Sequence, residues 1–120
     1  MTDNDMFVVF YKILSYLYES LKAGKRPNWA DLQYNSSLLN IPEGYWKTIM
    51  QELVEEGYVK GLKIVETKSG PVYCDNGIYI TGKGVEFLET NSLMGKTKEF
   101  LNNSFQTVLG ALVSVLADQK

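Results

Sequence analysis

Lys47, Thr48 and Gln51 are the residues of this chain best suited to recognising a polar partner. Gln51 follows Lys47 by four residues and Thr48 by three, so on a helix the three share one face. An ammonium can donate to guanine, a side-chain amide can pair with adenine, and a hydroxyl can serve as donor or acceptor; together these are the chemistry of direct base readout. Lys25, Arg26, Lys63 and Lys68 could anchor flanking phosphates through charge and counterion release. Tyr34, Asn35 and Ser36, just ahead of the helix, offer further phosphate donors. Glu43, Glu52 and Glu55 on or near the same face oppose a polyanion. The competing reading makes Lys47, Gln51 and Glu52 an ordinary solvated helix face.

Other chemistries lack their reagents. The chain contains no histidine, the commonest general base and transition-metal ligand. Cys74 is the sole cysteine, so neither an intramolecular disulfide nor a zinc cluster can be built, in keeping with a cytoplasmic setting. Without an activating histidine or an obvious cation beside it, Cys74 is expected to be inert. Paired loop carboxylates, a phosphate-cradling glycine motif and a nucleophile beside a base are all missing, so the expectation is a binding protein with no catalytic activity, no cofactor and no metal.

Composition frames the rest. With 120 residues, 45% hydrophobic and 22% charged, the proportions are those of one globular domain spanning the chain. The net charge of −2 hides an uneven distribution. Lys22, Lys25 and Arg26 form one basic knot and Lys60, Lys63 and Lys68 another, with Glu43, Glu52, Glu55 and Glu56 between them. The acidic start MTDND is unlike a secretory signal. The most apolar stretch, 105–117, is too short and too polar to span a bilayer, so no membrane span is expected.

The elements that must position these residues can be read from periodicity. Phe7, Phe10, Leu14, Leu17 and Leu21 step by three and four through a first helix at 6–22, closed by Gly24. Val8, Val9, Ile13 and Tyr16 widen its apolar surface, which predicts neighbours on two sides. Asn28 can cap a short second helix with Trp29 and Leu32 buried and Asp31 in its first turn. A third helix is expected over 42–56, with Pro42 in its first turn and Tyr45, Trp46, Ile49, Met50 and Leu53 turned inward. Both tryptophans are thus expected in the core.

After Gly57 the residues become β-formers, giving a strand through Leu62, Ile64 and Val65. Lys68–Pro71 and Asn76–Gly77 both read as turns, so the stretch between them, with Val72, Tyr73 and Cys74, is expected to be an irregular hairpin tip before a short return strand Ile78–Ile80. Thr81 can cap a fourth helix whose glycines, Gly82 and Gly84, allow close approach to the strand. A last helix over 96–117 carries Leu101, Phe105, Val108, Leu112 and Val115 at helical spacing. Three helices followed by a β-hairpin predict an α+β winged helix-turn-helix core over 6–92, with additional carboxyl-terminal helices.

Residues 39–62, LNIPEGYWKTIMQELVEEGYVKGL, and 78–91, IYITGKGVEFLETN, resemble the YjcQ-like winged-helix proteins of low-GC Gram-positive bacteria and their phages. The resemblance covers the central two-thirds of the chain. It is carried by the EEGYVKG exit from the third helix and the IT-x-KG-x-x-FLE passage from strand to helix. It implies the fold and a prophage setting, and it supplies no reaction and no ligand.

The leading expectation is therefore a DNA-binding regulator that lays its third helix in the major groove of double-stranded DNA while the wing touches the backbone. The alternative is a protein-interaction module on the same scaffold that no longer binds DNA. Lys25 and Arg26 could instead simply complement the dipole of the first helix, and Lys63 and Lys68 could keep a hairpin edge soluble. The apolar surface of the first and last helices predicts a homodimer, with two recognition helices spaced for a pseudo-palindromic site. In the other reading the last helix folds back on the first within one chain. A helix lying on a membrane surface is disfavoured, because Asn102, Asn103, Gln106 and Ser114 stand where such helices carry Lys and Arg.

Overall fold

The stepped apolar residues of the first segment fold as one helix, α1 (Met6–Lys22), in a computed structural model that describes residues 5–93. Val8, Val9, Phe10, Ile13, Leu14, Tyr16 and Leu17 of this helix are buried, which is the two-sided burial its wide apolar surface requires. Phe7 and Leu21, at the two ends of the expected stripe, are 56% and 50% exposed. Helix α1 stops where Gly24 takes φ +69, and the Gly24 and Lys25 N–H groups turn back to the carbonyls of Leu21 and Ser20. This is the Schellman arrangement, in which glycine is favoured because it alone enters the left-handed region without a Cβ penalty.

Where a short second helix is expected, the chain makes a single 3-10 turn, Trp29–Leu32, followed by a loop of turns. Asn28 caps it through a 3.1 Å bond accepted from the Ala30 N–H. The turn cannot continue, because Gln33 is extended and its side-chain amide occupies the Trp29 carbonyl. The loop is then closed by Ile41 N–H donating to Tyr34 O and by Asn40 in the left-handed region at φ 47.

Helix α2 (Glu43–Glu55) starts one residue later than the sequence suggests, with Pro42 extended as its cap. Trp46, Ile49, Met50 and Leu53 are buried, while Tyr45 is half-buried. Trp46 also closes the 3-10 turn, its indole N–H donating to Leu32 O at 2.8 Å.

The wing is one antiparallel hairpin of β1 (Val59–Thr67) and β2 (Gly70–Ile80), turning at Lys68–Ser69. Asn76–Gly77 is therefore a bulge inside a continuous strand rather than a second turn, and Cys74 lies within β2, opposite Lys63, rather than at the tip. Between the Lys60–Tyr79 and Leu62–Asp75 pairs only Gly61 faces residues 76–78. The physical reason is local: Gly61 and Gly77 both hold positive φ, and the Asp75 carboxylate accepts the Gly77 and Ile78 N–H groups at 2.9 and 3.0 Å. A Cβ on Gly61 would overlap the Gly77 carbonyl, so glycine is required at this crossing.

Helix α3 (Gly82–Thr90) begins at Thr81, whose hydroxyl accepts the Gly84 N–H and donates to Gly57 O. Of the two glycines expected to permit close packing, Gly84 does so, since a Cβ there would collide with Tyr58 O and Ile80, whereas Gly82 faces open space. The core lies between α1, α2 and the inner face of the hairpin, with Phe87 of α3 closing one end against Phe7, Phe10 and Tyr58. Helix α1, the 3-10 turn, α2, the two-stranded hairpin and α3, in this order, form an α+β, winged-helix-like fold. The helix expected over 96–117 lies outside the described residues.

Candidate functional site

The outward face of α2 is set by what its inner face buries. With Trp46, Ile49, Met50 and Leu53 committed to the core, Thr48 and Gln51 are left exposed and Lys47 half-exposed, one ridge as the spacing predicts. Each already has a neighbour within the helix. The Lys47 ammonium stands 4.0 Å from the Glu43 carboxylate, Gln51 donates its amide to Glu55 at 2.9 Å, and the Thr48 hydroxyl donates to Gly44 O at 3.3 Å. The long, partly exposed Lys47–Glu43 pair contributes a few tenths of a kcal/mol at most, so Lys47 can exchange it for a phosphate or a base at little cost. All three residues thus keep their hydrogen-bonding capacity on the surface, beside two carboxylates that reduce its positive character.

Of the residues ahead of α2, Asn35 is exposed, but Tyr34 and Ser36 have structural work. The Tyr34 ring packs edge-on against Trp46, and Ser36 accepts the Leu39 N–H through its hydroxyl. Trp46 in turn meets Trp29 and, at 5.5 Å between ring centroids, Tyr73 of β2. That aromatic stack fixes the angle between α2 and the wing.

Cross-strand pairing assigns the faces of the wing. Ile64 pairs with Tyr73 on the face that meets Trp46, so Lys63 with Cys74, and Val65 with Val72, lie on the opposite face. Lys63 and Lys68 are exposed, the latter at the turn, and Val65 and Val72 form an exposed apolar pair between them. Cys74 is half-buried.

Lys25 and Arg26 stand elsewhere. With the end of α1 and the bulged part of β2 they line a cleft of about 160 Å³. Neither side chain has an ion-pair or hydrogen-bond partner among the described residues. Sequence reasoning missed this cleft because it depends on the bulge, which pairing across the hairpin determines.

Tyr16 is a further residue that the sequence does not single out as more than core. Its hydroxyl donates to Asp31 Oδ2 at 2.8 Å and accepts the Asn28 N–H at 3.0 Å, joining α1 to the 3-10 turn. Burial, with the Asp31 carboxylate beside it, pushes its phenol up to about 12. Burial likewise raises Tyr11, Tyr45 and Tyr73. Among the described residues no three His, Cys, Asp or Glu side chains converge as metal ligands, and no helix is long and apolar enough to cross a membrane.

A family model described as YjcQ protein matches residues 11–103. No curated protein and no solved structure matches the chain.

Proposed function

This chain belongs to the YjcQ family, and from that premise we propose that it is a non-catalytic DNA-binding protein. In this reading the Lys47, Thr48 and Gln51 face of α2 enters the major groove while Lys63 and Lys68 of the wing, with Lys25 and Arg26, reach flanking phosphates. The observation that carries it is that Lys47, Thr48 and Gln51 share the outward side of α2, with the lysine-bearing wing packed beside it through the Trp46–Tyr73 contact. Such a protein acts in the cytoplasm as a transcriptional regulator, and the family resemblance favours a prophage setting. Exposed Phe7 on α1 supports a homodimer, which would present two copies of α2 to one duplex.

The test is Lys47→Ala with Gln51→Ala, measured on a duplex selected for binding. Each lost base contact costs about 1–3 kcal/mol, so affinity falls at least tenfold. Unchanged affinity removes α2 from the mechanism.

One observation favours a second reading. Glu43 and Glu55 already engage Lys47 and Gln51, and with Glu52 they leave α2 a net acidic outer surface that suits a partner protein better than a polyanion. In that case a partner protein takes the place of DNA, and no salt-dependent duplex binding is seen.

A further inference from the structure

We infer that the cleft between the end of α1 and the bulge of β2 binds a small organic anion, with Lys25 and Arg26 holding its acid group and Leu17, Leu21 and Tyr79 enclosing its apolar body. Three observations converge on it. First, the two cations lack partners among the described residues, so an incoming acid displaces no existing ion pair. The one carboxylate on the cleft wall, Asp75, spends an oxygen on the Gly77 and Ile78 N–H groups and leaves the wall with an excess of positive charge.

Second, the apolar side of the cleft is open to a ligand. Leu21 and Tyr79 are 50% and 44% exposed, although Leu17, Ile78 and Ile80, their neighbours on the same elements, are buried. A ligand ring seated between them removes that surface from water. Third, the wall is built rather than incidental. Gly61, Gly77 and the Asp75 turn together bend β2 at this point, and bulges of this kind commonly re-aim strand residues beside binding sites.

Size narrows the ligand. A cavity of about 150 Å³ accepts benzene, so a cleft of about 160 Å³ takes one ring or a short branched chain. A single-ring carboxylate fits this description, and a nucleotide does not. The inference does not depend on DNA binding, and its test contains no nucleic acid.

The probe is benzoate, titrated into the isotope-labelled full chain while the amide signals of Gly77 and Ile78 are followed. Benzyl alcohol and inorganic phosphate serve as the uncharged and ring-free comparisons. The expected result is a saturable shift of both amides by benzoate. Binding is at least tenfold weaker for each comparison compound, and for the Lys25→Ala, Arg26→Ala protein, as the loss of charged hydrogen bonds requires. Leu21→Asn, at an exposed position, keeps the fold and weakens benzoate while leaving the response to phosphate as it was. No saturable shift by about 10 mM benzoate, a range that covers even millimolar affinity, overturns the inference. So does an equal response to benzyl alcohol or phosphate, or a response that survives the double substitution.

Discussion

A few side chains in this protein do two jobs, and Tyr16 is the clearest. As an apolar residue on α1 it belongs to the core by spacing alone, yet its hydroxyl also ties α1 to both Asn28 and Asp31. Tyr16→Phe keeps the ring and leaves a carboxylate and an N–H without that partner, at a cost of about 1–3 kcal/mol in denaturant unfolding at pH 7. The same residue contributes to the alkaline limit. Its phenol is raised from 10.0 to about 12 in the fold, so the neutral form is favoured and its contribution is whole below pH 10. That contribution, no more than about 2 kcal/mol once solvent screening is allowed for, is lost as pH climbs from 10 to about 12. Tyr16→Phe should therefore flatten the stability profile over that interval, and an unaltered slope would show that other groups control it. On α2 the decisive residues are the carboxylates. If the Lys47 face meets DNA, Glu43→Gln with Glu55→Gln frees Lys47 and Gln51, removes two like charges, and raises duplex affinity severalfold, more at low salt than at high. A partner protein that recognises the acidic face would lose affinity instead.

At the scale of elements, what could be read from the sequence was whatever local chemistry decides. The bounds of α1, the inward rows of α2 and the Thr81 cap follow from spacing and side-chain type, and the structure reproduces them. The wing's bulge was not legible in the same way. Asn-Gly suits a tight turn as well as it suits a bulge, and the choice is made by Gly61 on the other strand, whose missing Cβ admits the Gly77 carbonyl. The second helix failed for a similar reason, since Gln33 reaching back to the Trp29 carbonyl is a side-chain competition that periodicity does not register. The candidate α2 face was legible because one helix supplies all of it, whereas the cleft at Lys25 and Arg26 required three segments to meet. The two glycines of α3 turn this lesson into a paired prediction. Helix propensity alone would have alanine stabilise both positions by up to ~1 kcal/mol. Gly82→Ala, with open space around it, should gain about 0.4–1 kcal/mol. Gly84→Ala drives a methyl into Tyr58 O and Ile80 and should lose about 1–3 kcal/mol. Thermal unfolding of the two variants reads the difference in sign, and two stabilised proteins would mean that α3 does not press on the hairpin as described.

For the whole molecule, the arrangement of helices and wing defines the geometry while charge decides what the geometry can hold. The net charge of −2 gives no general pull toward nucleic acid, so any binding must come from the placement of Lys25, Arg26, Lys47, Lys63 and Lys68. Placement of this kind has a signature that a partner protein cannot imitate, namely the release of counterions from the duplex. The most direct measurement is fluorescence anisotropy of a random-sequence duplex pool titrated with the full chain, at low salt and again near physiological salt. The account predicts saturable binding at low salt that weakens steeply as salt rises, with a log-log slope that reflects several neutralised phosphates. No binding at low salt by ~100 µM, the weak end of the non-specific range, would contradict it and turn the α2 face over to a protein partner.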